Sequence, residues 1–464
     1  MAWTAQNLSC SYYLIFFGPV LGMYIVWEVT MRRLWRDGAT LLRLLAAGTA
    51  VVLVTAPFVV PYIALRRLGF APRSLGETEH FAADVYGYLT ADPNLRLWGN
   101  LLRGSTKAEG ALFPGFTILV LAALGIVAAW RAARIDRDAG VSSPARAPLA
   151  PRVVGVALVA SCATLVALLA GWSIRLPFLK ITSFDRVLLL VAALSIALLA
   201  IAPRARGTAR RLASSPAAIL ALMTLFAVLM SFGPRIFSGE KLIESGNLYG
   251  AFYRFVPGFD GLRVPARFGM IVALGLAALS AYGARAIGRG RRGWIVIAAA
   301  CALIVLEAIA VPLPVNGNAT DFKQPALAPL PGFVAIDAVP PVYRFVAGLP
   351  APAALIELPF GEVAYELRYM FYSTSHWHPL VNGYSGGAPD EYGLISERIK
   401  DLTARPDVAW KALASAGPTH ALVHEGAYTD GRGAGVSGWL RANGAIEIAS
   451  FGGDHVFELP RHPS

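Results

Sequence analysis

Long apolar runs alternate with short, arginine-rich polar segments over the first two thirds of the chain. A helix that crosses a membrane needs about 20 mostly apolar residues, and runs of that kind recur about eight times. They cover residues 11–30, 43–64, 112–130, 153–172, 184–202, 216–232, 266–286 and 293–314. The pattern therefore predicts a transmembrane helical domain over residues 1–315, with about eight spans.

The connections between these runs predict an orientation, because basic residues concentrate in every second one. These are Arg32, Arg33, Arg36 and Arg43; Arg131, Arg134, Arg137, Arg146 and Arg152; Arg204, Arg206, Arg210 and Arg211; and Arg285, Arg289, Arg291 and Arg292. Positive charge favours the cytoplasmic side, so loops 66–111, 173–183 and 233–265 are expected to face outward. Eight spans would also place the N-terminus outside. That is unusual for a complete protein of this kind, and we expect a preceding helix to be missing.

Beyond residue 315 the long apolar runs stop and short helical and strand patterns alternate. Residues 316–340, rich in Pro and Ala, are predicted to be a linker. Helical patterns occupy 341–348, 362–373, 408–416 and 436–443, and strand patterns occupy 354–358, 419–423, 446–451 and 455–459. This alternation predicts a small extracytoplasmic α/β domain over residues 341–464.

Composition supports the membrane assignment and narrows the possible partners. The chain is 56% hydrophobic and 15% charged, whereas soluble domains carry about a quarter charged residues. Its net charge of +12 comes from residues at the ends of apolar runs, where they meet lipid headgroups. The bilayer is thus the expected partner, and no nucleic-acid role is assigned.

Several common classes of protein are disfavoured. Cys10, Cys162 and Cys301 all lie in apolar stretches, so neither a disulfide framework nor a zinc site is predicted. The start of the chain lacks the features of a cleaved signal peptide. No Walker loop, Ser-His-Asp order or GxGxxG context is present, which disfavours a soluble-type hydrolase or a nucleotide enzyme.

The most informative segment is residues 258–268, where the seventh apolar run begins. Pro265 suits the first turn of a helix, and Arg263 and Arg267 are spaced to share one helix face. Cations are disfavoured near a helix N-terminus by about 0.3–1 kcal/mol, and on the outer side of a membrane as well. An anionic partner is therefore expected. It is either a lipid phosphate or Asp260, or else the phosphate of a lipid-linked substrate, which suits the planar arginine fork.

A second candidate is the outer loop 66–111, which carries both signs of charge and several aromatic residues. Its candidate substrate-binding residues are Arg66, Arg67, Asp84 and Glu109. Carboxylates in such a loop can act as a general base or bind a divalent cation, so a divalent cofactor stays open. No spacing matches a defined metal motif, and no metal ligand is assigned. The alternative is a solvated loop with interfacial aromatics.

Two further features have both a functional and a structural interpretation. Glu307 lies inside the eighth run, where a carboxylate is either functional or hydrogen-bonded between helices. His376 and His378 have the spacing of metal ligands on a strand, but no third or fourth ligand is evident. A loop that places aromatics and Asn382 against the membrane domain is the favoured interpretation.

Several ordered segments together resemble bacterial membrane glycosyltransferases of the C-type superfamily, which use polyprenyl-phosphate-linked sugars. The resemblance is to poorly characterised members that end in a periplasmic domain, and it covers nearly the whole chain. It rests on residues 6–13; 61–62 with Arg66 and Arg67; 84–89; 96–99; Glu109 with 112–115; 257–268; 356–361; and 380–386.

This resemblance implies transfer of a sugar from a polyprenyl-phosphate donor to an acceptor at the outer face of a bacterial inner membrane. In that superfamily the usual catalytic carboxylate lies in the first outer loop, between the first two helices. The resemblance leads us to expect that the chain begins several helices later than that loop, so no catalytic residue is carried over and the enzyme is expected to be incomplete.

Two other function classes remain open. A non-catalytic membrane protein would use its extracytoplasmic domain to bind an envelope partner or a glycan. A transporter would need internal symmetry and broken helices at the midplane, and the sequence shows neither.

Overall fold

The computed structural model describes residues 2–10, 12–67, 73–104, 107–135, 149–172, 174–176, 179–181, 183–239, 241–287, 290–311, 327–328, 339–385, 390–400, 402, 404–429 and 431–460. The chain forms two compact units. The first comprises Met1–Val60 and Pro72–Leu313, and the second comprises Pro61–Ala71 and Pro314–Ser464.

Twelve α-helices precede residue 312 in the described part of the chain. They are α1 (Ala2–Ser9), α2 (Tyr12–Met31), α3 (Gly38–Arg67), α4 (Leu75–His80), α5 (Phe116–Ile135), α6 (Leu149–Leu169), α7 (Phe184–Ile201), α8 (Pro203–Ala213), α9 (Pro216–Ser231), α10 (Leu248–Phe255), α11 (Gly269–Ala286) and α12 (Arg291–Glu307). Two short antiparallel hairpins lie among them, formed by β1 (Ile174–Leu176) with β2 (Leu179–Ile181) and by β3 (Ile236–Ser238) with β4 (Lys241–Glu244).

Six helical segments of the described chain are long and apolar enough to cross a membrane, and each overlaps one of the predicted spans. They are Tyr12–Met31, Gly38–Ala64, Phe116–Arg134, Leu149–Leu169, Phe184–Ile201 and Pro265–Ala286. A seventh span results if α8 and α9, which meet at a bend of 82°, are counted together. The fold is thus that of a polytopic helical membrane protein, with fewer such helices than the eight runs suggest.

The two remaining apolar runs, 216–232 and 293–314, form shorter helices than predicted, for identifiable reasons. At the bend before α9, the Ser215 hydroxyl accepts the Ala217 amide and Pro216 occupies the first helical position, so a new 16-residue helix starts there. α12 has 17 residues and ends at Glu307, whose carboxylate accepts the Thr117 amide at 3.2 Å. Glu307 is therefore a hydrogen-bonded group between helices, as its structural interpretation predicts.

The centre of the first unit is α11, which packs closely on α5 and α9 through glycines. A Cβ atom at Gly283 would overlap the Leu121 carbonyl of α5, and one at Gly275 would overlap the Thr224 hydroxyl of α9. The Ser280 hydroxyl also donates to the Ile118 carbonyl at 3.0 Å. Small residues of this kind allow membrane helices to approach each other closely.

The second unit contains a mixed four-stranded sheet and five helices among its described residues. The helices are α13 (Pro341–Ala347), α14 (Val363–Ser373), α15 (Asp390–Lys400), α16 (Pro406–Ser415) and α17 (Arg432–Ala442), and the strands are β5 (Leu355–Leu358), β6 (His420–His424), β7 (Ile446–Phe451) and β8 (Asp454–Glu458). The strand order is β5-β6-β8-β7, with β5 parallel to β6 and the other pairs antiparallel.

Alternating side chains of the sheet build two separate cores. Ile356 and Leu358 of β5 pack with residues of α15, α16 and α17, whereas Leu355 of the same strand packs with residues of α13 and α14. The period-two alternation of a strand puts neighbouring residues on opposite faces. The unit is thus a small α/β layer structure, as the sequence predicts. α15 was not among the predicted elements, and most of the expected linker 316–340 lies outside the described residues.

Candidate functional site

The loop segment between α3 and α5 folds into short capped elements that fix its charged side chains. The Ser74 hydroxyl accepts the Glu77 amide at 3.1 Å and caps α4, which carries Glu77 and Glu79. Asp84 caps the following 3₁₀ helix, Val85–Leu89, by accepting the Tyr86 amide at 2.8 Å. Because both caps are local, the carboxylates of this loop are held at defined positions.

Residues 258–268 contain two 3₁₀ turns and contact this loop. Gly258, at φ 91°, precedes the turn Phe259–Gly261, and a second turn, Pro265–Phe268, leads into α11 with Pro265 at its first position. Pro265 thus begins a 3₁₀ turn, and α11 itself begins at Gly269. Arg263 precedes both, so the two arginines do not share one helix face as predicted. The Asp260 carbonyl also accepts the Arg73 amide at 3.0 Å, which joins this segment to the loop.

The two arginines of this segment meet two different carboxylates of the loop. Arg263 Nε lies 2.9 Å from Glu77 Oε1 but without the alignment of a hydrogen bond, so the contact is an ion pair. Its guanidinium also lies 4.4 Å from the centre of the Phe81 ring. Arg267 binds Glu109 with both Nη2 and Nε, at 2.9 and 3.5 Å. Each arginine thus has an anionic partner within the chain, and these partners, Glu77 and Glu109, differ from the Asp260 and phosphate partners named from the sequence.

Two further ion pairs involve carboxylates of the same loop. Arg73 lies 3.3 Å from the Glu77 oxygen that Arg263 contacts, so two guanidinium groups share one carboxylate. Arg235, which immediately precedes β3, pairs with Glu79 of α4. We call these seven residues the arginine–carboxylate cluster: Arg73, Glu77, Glu79, Glu109, Arg235, Arg263 and Arg267.

Asp84 lies beside this cluster but differs from its carboxylates in burial and bonding. Its side chain is 1% exposed, and Oδ2 has no hydrogen-bond partner among the described residues. Lys107 is half-buried near it and donates to the Glu79 carbonyl at 3.1 Å. Burial lowers the pKa of Lys107, while the negative charges of Asp84 and Glu79 oppose that shift. A buried carboxylate with a free oxygen can accept a proton or a ligand donor.

The other predicted arginines lie elsewhere in the chain. Arg66 and Arg67 are the last residues of α3, in the second unit, and the Arg67 side chain is exposed. Cations are favourable at a helix C-terminus, which accounts for their position in the sequence. The side chain of Arg66 lies outside the described residues.

The second unit contains a buried polar network that the sequence did not reveal. Glu357 of β5 is 0% exposed, and its Oε2 accepts the Tyr343 hydroxyl at 2.8 Å and lies 2.9 Å from His424 Nε2. His424 Nδ1 lies 2.8 Å from Asp454 Oδ1. Burial opposes ionisation of His424, but the hydrogen bonds with Asp454 and Glu357 outweigh it and raise its pKa to about 9. The imidazole is thus held as a cation between two carboxylates.

The histidines singled out in the sequence serve packing roles in the second unit. His376 is buried against the Tyr343 ring, and burial lowers its pKa to about 4. His378 Nε2 lies 3.1 Å from the Val346 carbonyl. Asn382 bonds both backbone groups of Glu357, at 2.6 and 2.9 Å. In the described parts of the chain, no group of three His, Cys, Asp or Glu side chains is arranged to hold a metal ion.

The sequence predicts Arg263, Arg267 and Glu109 of the cluster as candidate site residues, and also Asp84 beside it. It does not predict a role for Lys107. Arg73 and Arg235 lack any local signal, because only the tertiary fold brings them to Glu77 and Glu79. Glu357 had one available signal, since it is a carboxylate inside a strand that otherwise reads as buried.

No protein-family model matches the chain, no curated protein matches it, and no solved structure matches its fold. The chemistry of the cluster therefore rests on its own geometry.

Proposed function

We propose that the protein is a membrane glycosyltransferase-like protein that takes a sugar from a polyprenyl-phosphate donor. The observation that carries this proposal is that Arg263 and Arg267 both pair with carboxylates of the loop that also holds the buried Asp84. The proposal includes eight membrane crossings and an inner membrane location, with the cluster and the C-terminal domain on the outer face. The alternation of basic connections supports that orientation.

The donor phosphate is proposed to bind at Arg263 and Arg267. Arg73 and Arg263 share the single carboxylate of Glu77, so a second anion is favoured between them. Phosphate oxygens accept paired N–H groups from guanidinium in the same way as a carboxylate does. Binding of the phosphate would displace Glu77 and Glu109 from these arginines, and no additional basic residue would be needed.

The reaction breaks the bond between the anomeric carbon of the sugar and the phosphate oxygen. The electron pair leaves with the polyprenyl phosphate, and the arginines stabilise that leaving group. The acceptor hydroxyl oxygen forms the new bond to the anomeric carbon, and its proton passes to a carboxylate. Asp84 is the candidate for that base, because Oδ2 is buried and has no hydrogen-bond partner in the described structure.

Binding of polyprenyl phosphate to the purified full chain tests the first half of the proposal. Arg263→Gln and Arg267→Gln should each weaken binding by about tenfold, the effect of losing one charge-assisted contact. Arg36→Gln is the matched control, because Arg36 is an exposed arginine of a basic connection outside the cluster. Unchanged binding in both cluster variants would overturn the proposal.

Release of labelled sugar from a polyprenyl-phosphate hexose in proteoliposomes tests the second half. Asp84→Asn should keep polyprenyl-phosphate binding within about twofold and reduce release by roughly 100-fold or more, since general bases contribute about that much. Full release by Asp84→Asn would remove the residue from the mechanism while leaving the phosphate site intact.

A non-catalytic role, with the second unit binding an envelope partner or a glycan, is the second candidate. Its support is the exposed apolar side of α14, formed by Val363, Leu367 and Met370, together with Trp377, which is 82% exposed. Exposed aromatic and apolar groups of this kind mark binding surfaces. This role predicts that Trp377→Ala abolishes binding of a cell-envelope glycan fraction, while Arg263→Gln has no effect on it.

A further inference from the structure

A cavity of about 890 Å³ lies in the first unit, among helices α5, α6, α7 and α8. Its volume is within the usual range for ligand pockets, roughly 300–1,000 Å³. Leu158, Leu198, Leu199 and Leu212 provide apolar walls. Its charged lining residues are Arg134, Arg152 and Arg204, and no acidic residue is among the described residues that line it. We call it the arginine-lined cavity.

Two of these arginines occupy positions that helix electrostatics disfavour. Arg152 lies in the first turn of α6, and Arg204 lies in the first turn of α8. A cation in the first turn costs about 0.3–1 kcal/mol, and an anion there is favoured by a similar amount. Neither helix has an acidic residue in its first turn that would offset this cost.

The N-terminus of α8 itself adds unsatisfied donors to the cavity. Pro203 is its first residue, and the preceding residue, Ala202, supplies no side-chain cap. Ala202, Pro203, Arg204 and Ala205 all line the cavity. The free amides of a helix N-terminus, together with guanidinium groups, are a ready site for a phosphate.

The third arginine is held in place by an aromatic ring. The Arg134 guanidinium lies 3.8 Å from the centre of the Trp130 ring, and both residues line the cavity. No ion pair to any of the three arginines is present among the described residues. The cavity therefore combines apolar walls with three cations and an uncapped helix start at one end.

We propose that the arginine-lined cavity binds one acidic phospholipid of the surrounding bilayer. The phosphate lies between Arg134, Arg152, Arg204 and the start of α8, and the acyl chains lie along the leucine walls. Charge complementarity selects an anionic headgroup over a zwitterionic one, because the described lining residues offer three guanidinium groups to the phosphate and no carboxylate to a choline. This site differs from the arginine–carboxylate cluster in both its residues and its place in the unit.

Native mass spectrometry of the full chain, titrated with phosphatidylglycerol, tests the proposal. The triple variant Arg134→Gln/Arg152→Gln/Arg204→Gln should bind phosphatidylglycerol at least about tenfold more weakly than the unmodified chain. The control Arg36→Gln/Arg285→Gln/Arg292→Gln removes the same charge from basic connections outside the cavity and should stay within about twofold. Phosphatidylcholine should bind both variants and the unmodified chain equally weakly.

Three results would overturn the proposal. Equal loss in the control triple would show that overall charge, and not the cavity, attracts the lipid. Phosphatidylcholine binding as tight as that of phosphatidylglycerol would remove the role of the headgroup charge. Tighter binding of polyprenyl phosphate, lost in the cavity triple but kept in Arg263→Gln, would make the cavity a donor-lipid site.

A folding defect in the triple variant is separated from a binding defect by a milder change. Arg204→Lys keeps the charge but removes the planar fork, and it should weaken phosphatidylglycerol binding by about threefold or more. Size-exclusion profiles identical to the unmodified chain establish that the variant is folded. Unchanged binding by a folded Arg204→Lys together with a folded cavity triple contradicts the site.

Discussion

Glu77 accepts contacts from two guanidinium groups, whereas Asp84 keeps one oxygen free of any partner within the described residues. The two carboxylates belong to the same loop, but their environments give them different chemistry. Glu77 is partly exposed and neutralised, so it serves to position arginines. Asp84 is buried beside Lys107, where an unpaired oxygen is costly unless a ligand or proton uses it.

His424 gives a prediction at the same scale. Its pKa is raised to about 9 in the folded chain, above its ordinary value of 6.5, because Asp454 and Glu357 stabilise the cation against its burial. This contribution to stability is therefore complete below about pH 6.5 and is lost as pH rises through about 9. We expect hydrogen-exchange protection of β6 and β8 to fall roughly 50-fold between pH 7 and pH 9.5, after correction for intrinsic exchange.

His424→Gln should remove this pH dependence, because the side chain no longer titrates. His420→Gln is the control on the same strand: burial lowers the pKa of His420, which is already neutral across that range, so its loss leaves the dependence in place. A pH dependence that persists in His424→Gln would assign the effect to another group.

The sequence located residues with unfavourable positions, but not the partners that compensate them. Arg263 and Arg267 were identifiable because each conflicts with the helix dipole. The identity of their partners depends on which loop carboxylates the fold brings within reach. The sequence around Glu77 and Glu109 does not indicate that these two residues pair with the arginines. Asp84 could not be separated from an ordinary helix cap, because burial of its second oxygen is a tertiary property.

At the scale of elements, the packing of α11 on α5 depends on the absence of side chains. Gly283→Ala would place a methyl group against the Leu121 carbonyl, and backbone cannot move aside as a flexible side chain can. We expect destabilisation of about 1–3 kcal/mol, the usual cost of overpacking. Thermal unfolding in detergent should show a lower midpoint.

Gly48→Ala in α3 is the matched control, since a Cβ atom there meets nothing within 4 Å. It should leave the midpoint unchanged or raise it slightly, because alanine favours the helix. Equal midpoints for Gly283→Ala and Gly48→Ala would contradict the close α5–α11 contact.

Hydrophobic periodicity was sufficient for most elements and insufficient for helix ends. Six spans and the four strands of the sheet follow from runs of apolar residues, because burial in lipid or core is what selects those residues. The bend before α9 depends on Ser215 and Pro216, a local cap inside a continuous apolar region. The end of α12 depends on Glu307 bonding Thr117, which is a contact between helices and leaves no trace in a hydropathy pattern.

At the scale of the whole molecule, the sidedness proposed for the second unit depends on whether α12 crosses the membrane. Its 17 residues span about 26 Å, slightly less than a typical hydrocarbon core of about 30 Å. Within the first unit, Glu307 at the end of α12 accepts the Thr117 amide near the start of α5. The Ile309 carbonyl, just after α12, accepts the Arg96 amide of the loop at 2.9 Å. The C-terminal end of α12 therefore lies against loop 66–111, before the chain continues into the second unit.

We therefore expect Trp377 to lie on the opposite side of the membrane from Arg36. In a chain whose three cysteines are replaced by serine, Trp377→Cys should react with a membrane-impermeant maleimide in intact cells, and Arg36→Cys only after permeabilisation. Both positions are exposed, so access depends on sidedness alone. If both react only after permeabilisation, α12 does not cross, and a helix of 17 residues returns the second unit to the side of the basic connections.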